Sequence, residues 1–112
     1  RGIEDYGRVK AALNQWREAH KRELRVTTIV SGGARGVDRL AARYAKQHNL
    51  TLKELKPDWE KHGKAAGILR NRDIVQAAHR VLAFWDGTSH GTQNTIAEAR
   101  KQGKPVEVLQ WK

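Results

Sequence analysis

One stretch constrains this chain more than any other. Val26-Thr27-Thr28-Ile29-Val30 is β-branched and apolar, which reads as a buried strand. It runs directly into Ser31-Gly32-Gly33-Ala34-Arg35-Gly36-Val37-Asp38, after which Leu40, Ala41, Tyr44 and Ala45 recur at helical spacing. Strand, glycine-rich turn and helix start therefore follow one another without a break. A helix start carries free backbone N–H groups and the positive end of the helix dipole. Glycines let a bound group approach the backbone. Together these favour an anion, most often a phosphate. Asp38 falls near the first turn, where an acid suits the dipole. The alternative is a plain tight turn with no ligand. The motif is not G-x-G-x-x-G, since Ser31 takes the first position, and not a P-loop, since it has no Gly-Lys-Ser/Thr; Gly63-Lys64, followed by Ala65, does not qualify either.

The rest of the chain alternates regularly. Glu4-Asp5 suits a helix start, and Tyr6, Val9, Leu13, Trp16 and Ala19 fall on one helical face. A helix is expected from Val37 to His48, with Asn49 as its end. Leu50, Leu52 and Leu55 suggest a strand that Pro57 stops. Glu54 falls about twenty residues past the glycines, where a dinucleotide fold keeps its ribose acid, but the first glycine of that fingerprint is missing, and a solvated strand end is the preferred reading. Lys56 to Lys64 reads as a polar loop, and Trp59 within it is either ligand-facing or packing. A helix follows from Lys64 to His79. Within it Arg70 and Asn71 could reach a phosphate or ribose, or simply form an exposed face.

Val81-Leu82-Ala83-Phe84-Trp85 is a near-continuous apolar run, as for a strand buried on both faces. It leads into a second glycine-rich turn, Asp86-Gly87-Thr88-Ser89-His90-Gly91-Thr92, and then a helix from Gln93 to Gln102. Gly103 ends that helix, Pro105 follows, and Val106 to Leu109 forms the last strand, ending in Gln110-Trp111-Lys112. Helix and strand alternate throughout. The expected fold is α/β: a three-layer Rossmann-like parallel sheet with helices on both faces. Right-handed crossovers would put both glycine turns at one carboxyl edge. The opening helix has no strand before it and Met is absent, so a first strand is expected upstream of Arg1.

At 112 residues one domain is expected. No apolar run approaches the length that spans a bilayer and nothing resembles a signal peptide, so no membrane association and a cytoplasmic location are expected. The chain has no cysteine, hence no disulfide framework, thiolate metal site or thiol nucleophile. His20, His48, His62, His79 and His90 lack metal-ligand spacing, so no metal site is expected. His90 is the one histidine placed to act as acid or base, and an exposed loop position is its alternative. The net charge of +10 favours a polyanionic partner, though a merely basic surface would give the same number.

The glycine turn, Asp58-Trp59 through Gly63-Lys64-Ala65-Ala66-Gly67, Arg70-Asn71, and Ala83-Phe84-Trp85-Asp86-Gly87 through Gly91-Thr92 occur in one order. That ordered set resembles the SLOG superfamily, in particular its YspA/YpsA-like branch. The resemblance implies a Rossmann-like domain that binds a nucleotide or nucleotide-derived small molecule as a sensor or binding module, with no other cofactor identified. It implies ligand roles for Ser31, Gly32, Gly33, Ala34, Arg35, Gly36 and Asp38, for Trp59, Arg70 and Asn71, and for Asp86, Gly87, Ser89, Gly91 and Thr92. Arg1 resembles the arginine of a Gly-Ser-Arg turn that follows the first strand in such proteins. Related domains often pair, so a homo-oligomer is among the expected states.

Two relatives within the superfamily give alternatives. Cytokinin-activating phosphoribohydrolases carry P-G-G-x-G-T-x-x-E, whose glutamate assists N-glycosidic cleavage; Thr95 stands at that glutamate here, while Arg70 resembles the other catalytic position. The DNA-processing protein DprA has a similar S-G-x-A-x-G-x-D turn and binds single-stranded DNA, which the positive charge would suit.

Overall fold

The computed structural model describes residues 5–32 and 36–110. Arg1, Gly33, Ala34 and Arg35, and the chain end at Trp111 and Lys112, lie outside the described residues. The fold is mixed α/β with short parallel sheets. It divides into two compact units, Arg1–Glu54 and Leu55–Lys112.

The first unit comprises α1 (Tyr6–Ala19), β1 (Thr28–Ser31), α2 (Val37–Gln47) and β2 (Thr51–Glu54). Asp5 caps α1 by accepting a hydrogen bond from the Arg8 N–H at 3.2 Å, as an aspartate before a helical run should. β1 and β2 pair in parallel, Ser31 opposite Glu54. The helices α1 and α2 pack together, with Val9, Tyr44 and Ala45 buried. Tyr44 is more than an apolar face residue. Its hydroxyl donates to Asn14 Oδ1 at 2.6 Å and accepts from Arg17 Nη1 at 3.0 Å, so its burial leaves no polar atom stranded. The strand begins two residues later than the apolar run does, because Val26 and Thr27 belong to the link that follows α1.

The second unit comprises α3 (Trp59–His62), a 3-10 turn (Gly63–Ala65), α4 (Ala66–Ala77), β3 (Val81–Trp85), α5 (His90–Lys101) and β4 (Val106–Gln110). β3 and β4 pair in parallel from Val81–Val106 to Trp85–Gln110. The core gathers Val75 of α4, Val81 of β3 and Ala99 of α5, with Ala78 and Val106 against them. Two expectations change here. The stretch from Lys56 to Lys64 contains a helical turn, because Asp58 accepts from the Lys61 N–H at 3.1 Å and nucleates it. α5 opens at His90, three residues before Gln93, because Ser89 is its N-cap. Gly91 and Thr92 therefore belong to the helix's first turn.

Among the described residues the hydrogen-bonded strands form two two-stranded parallel sheets. The parallel pairing expected from the alternation of helix and strand is present in each.

Candidate functional site

In the first unit the glycine-rich turn joins β1 to α2. Ser31 closes the strand, is 5% exposed, and its Oγ finds no hydrogen-bond partner among the described residues. Gly32 beside it is also buried. Gly36 is the N-cap of α2 at φ 75° and ψ −126°, backbone that a side chain rarely tolerates. Glycine at that position brings no side chain, so α2 begins without the side-chain cap that α1 has. Asp38 stands in its first turn, half-buried. The arrangement is a helix start with N–H donors and, at the end of the strand that leads into it, a buried hydroxyl with no hydrogen-bond partner among the described residues. Both suit an oxyanion: amides donate to it, and a serine hydroxyl can donate as well.

The second glycine turn differs. The Asp86 carboxylate accepts from the Thr88 and Ser89 N–H groups, both at 2.8 Å, and from the Thr88 hydroxyl at 3.1 Å. These bonds hold its carboxyl below the ordinary aspartate value of 3.8, the Thr88 amide contributing most and the Ser89 amide next. Ser89 in turn accepts from the Thr92 N–H at 3.4 Å, and the Trp85 indole donates to the Ser89 carbonyl at 3.0 Å. Gly87, at φ 90°, gives the turn its shape. Donors that this turn could offer a ligand are largely spent on its own acid and cap.

Asn71 is a finding that the polar look of Arg70-Asn71-Arg72-Asp73 conceals. It is 7% exposed and shares the inward face of α4 with Val75. Its Nδ2 donates to Asn94 Oδ1 at 3.0 Å and to the Gly91 carbonyl at 3.4 Å. Its Oδ1 accepts from Arg70 Nε at 3.0 Å. Asn71 thus ties α4 to the start of α5 and orients the neighbouring guanidinium. The spacing of Asn71, Val75 and Ala78, i, i+4 and i+7, was the available signal that the side chain points inward. Asn94 was not singled out by any motif; only its position on α5, one turn after His90, places it here. Thr95 donates its hydroxyl to the Gly91 carbonyl at 3.1 Å, so that hydroxyl is used within α5.

Trp59 opens α3 and is 60% exposed. His90 is exposed at the first position of α5. A groove of about 480 Å³ in the first unit is lined by Asn14, Arg17, Glu18, Lys21, Leu24, Arg25 and Val26. None of the motif residues lines it, and it lies where the chain enters β1 rather than where the strand ends. Among the described residues no cluster of three metal-ligating side chains occurs and no helix is long and apolar enough to cross a membrane.

Comparison with known proteins adds independent evidence. The family model for the YspA, cpYpsA-related SLOG family matches residues 1–62. Gene 61 protein of Mycobacterium phage D29 is 46% identical over 84 residues, covering 70% of this chain and 67% of that protein. No solved structure matches the chain at a significant level.

Proposed function

The chain belongs to the YspA, cpYpsA-related SLOG family, and on that premise we propose that it binds a nucleotide or nucleotide-derived ligand whose phosphate is received at the start of α2. The observation that carries this reading is Ser31. A buried hydroxyl without a partner costs about 1–3 kcal/mol, and a protein that keeps one beside an uncapped helix start has a use for it. A phosphate there would accept from the hydroxyl and from the α2 amides together. Binding without turnover, as a sensor or binding module, is the activity we assign. The three-layer Rossmann-like sheet expected from the order of elements is part of the same proposal.

Independently of α2, we propose Arg70 in the second unit as a cation for an anionic ligand, held in place by Asn71. The test is a thermal-shift screen of the chain with mononucleotides, NAD, ADP-ribose and cyclic nucleotides. A ligand specific to the folded state raises the midpoint by mass action. Stabilisation by at least one phosphate-bearing compound is the expected result; no stabilisation by any of them at millimolar concentration would overturn the proposal.

A further inference from the structure

The large apolar side chains left exposed among the described residues are Trp59, at 60%, and Ile68, at 58%. Both lie in the second unit. A Cβ built on Gly67 would stand 3.7 Å from Trp59 Cη2, so the edge of the indole rests over Gly67, next to Ile68 on α4. The short helix α3 and its Asp58 cap fix the tryptophan there. Lys56, Lys61, His62 and Lys64 are exposed in the same stretch. Among the described residues none of these three lysines has an ion-pair partner.

We propose that this surface is a base-stacking seat for single-stranded nucleic acid, and that it does not depend on the phosphate reading of α2. An exposed indole presents a π-face that any base can stack on, and cations beside it meet the phosphates on either side. Lysine is depleted from protein–protein interface cores, so three lysines exposed in the stretch that carries the indole, beside the exposed Asp58 and Glu60, argue against a protein partner. A duplex keeps its bases stacked on each other, so the seat requires splayed, single-stranded bases. The net charge of +10 supplies long-range attraction to the strand.

The test uses the whole chain and two fluorescein-labelled 12-mers of equal charge, oligo-dT and its abasic counterpart, read by anisotropy at fixed salt. The parent should bind oligo-dT about tenfold more tightly than the abasic strand. Trp59→Ala should bring that ratio close to one with an unchanged thermal midpoint, since the ring is largely exposed, and Trp59→Phe should keep most of it. Equal affinity for the two strands in the parent, or a ratio that survives Trp59→Ala, would overturn the proposal. So would Trp59→Ala changing the sedimentation of the chain or its retention on anionic vesicles while leaving the ratio intact; that result would give the surface to a second copy or to a lipid headgroup.

Discussion

Two polar side chains are buried among the described residues, Ser31 and Asn71, and they are provided for differently. Asn71 has a partner for its oxygen and for its nitrogen. Removing it strands Asn94 and takes away the acceptor of Arg70 Nε, so Asn71→Ala should destabilise the fold by about 1–3 kcal/mol, measured by urea denaturation. Ser31 has none among the described residues, so Ser31→Ala should leave the ligand-free protein as stable as the parent or more so. Arg70→Ala should weaken nucleotide binding without unfolding the chain; unchanged affinity would remove the ligand role from Arg70. Asp86 is a pH prediction with a definite sign. Its folded carboxyl titrates below 3.8, so the turn's extra stability is present above that value and is lost as pH falls through the lower one. Amide shifts of Thr88 and Ser89, followed by NMR, should titrate with a midpoint below 3.8; a midpoint at or above it would contradict the bonding seen in the turn. Only half of this was legible. The glycine turns announce themselves by composition, whereas the difference between a spent and an unspent turn depends on where Asp86 and Ser31 point, which no motif encodes.

The helices show why some elements can be read from the chain and others cannot. α2 and α5 end where Asn49 and Gly103 indicated. Each holds a positive φ, 56° and 72°, and is followed by an N–H that reaches back five residues, Leu50 to Ala45 at 2.8 Å and Lys104 to Ala99 at 2.9 Å. That is the Schellman closure these residue types favour. The end of α4 has no basic residue in its own last turn. Lys104, just beyond α5, supplies the cation, donating to the Ala78 carbonyl at 2.6 Å. A cap borrowed across the fold leaves no local trace in sequence. The four-residue α3 leaves little trace in sequence because Pro57, Gly63 and the lysines around it outweigh a single Asp58 cap. Between α1 and α2 the decisive residue is Tyr44, stacked on His48 at 3.9 Å and bonded to Asn14 and Arg17. Tyr44→Phe should cost about 1 kcal/mol and Tyr44→Ala about 3–5 kcal/mol, read from denaturation midpoints. Equal costs would mean that packing contributes nothing beyond the hydroxyl.

At the scale of the molecule, the alternation of strand and helix led to parallel pairing, and β1–β2 and β3–β4 are parallel. Pairing within a unit follows from adjacent strands and a crossover helix. The register between strands distant in the chain is set by packing that no local pattern carries. Charge is a whole-molecule property too. A chain at +10 attracts anions over distances comparable to the Debye length, which is why salt-dependent attraction alone cannot establish a phosphate site. The most direct test therefore compares molecules that differ by the phosphate and proteins that differ by one oxygen. Thermal midpoints of the parent and of Ser31→Ala would be measured with AMP, GMP, CMP and UMP and with the four corresponding nucleosides, at physiological salt. The account predicts that at least one nucleotide raises the parent's midpoint, that its nucleoside does not, and that the difference shrinks about tenfold in apparent affinity when the Ser31 hydroxyl is removed, as for a hydrogen bond to a charged group. Equal shifts with nucleotide and nucleoside, or a nucleotide shift that Ser31→Ala leaves untouched, would contradict the claim that α2 receives a phosphate.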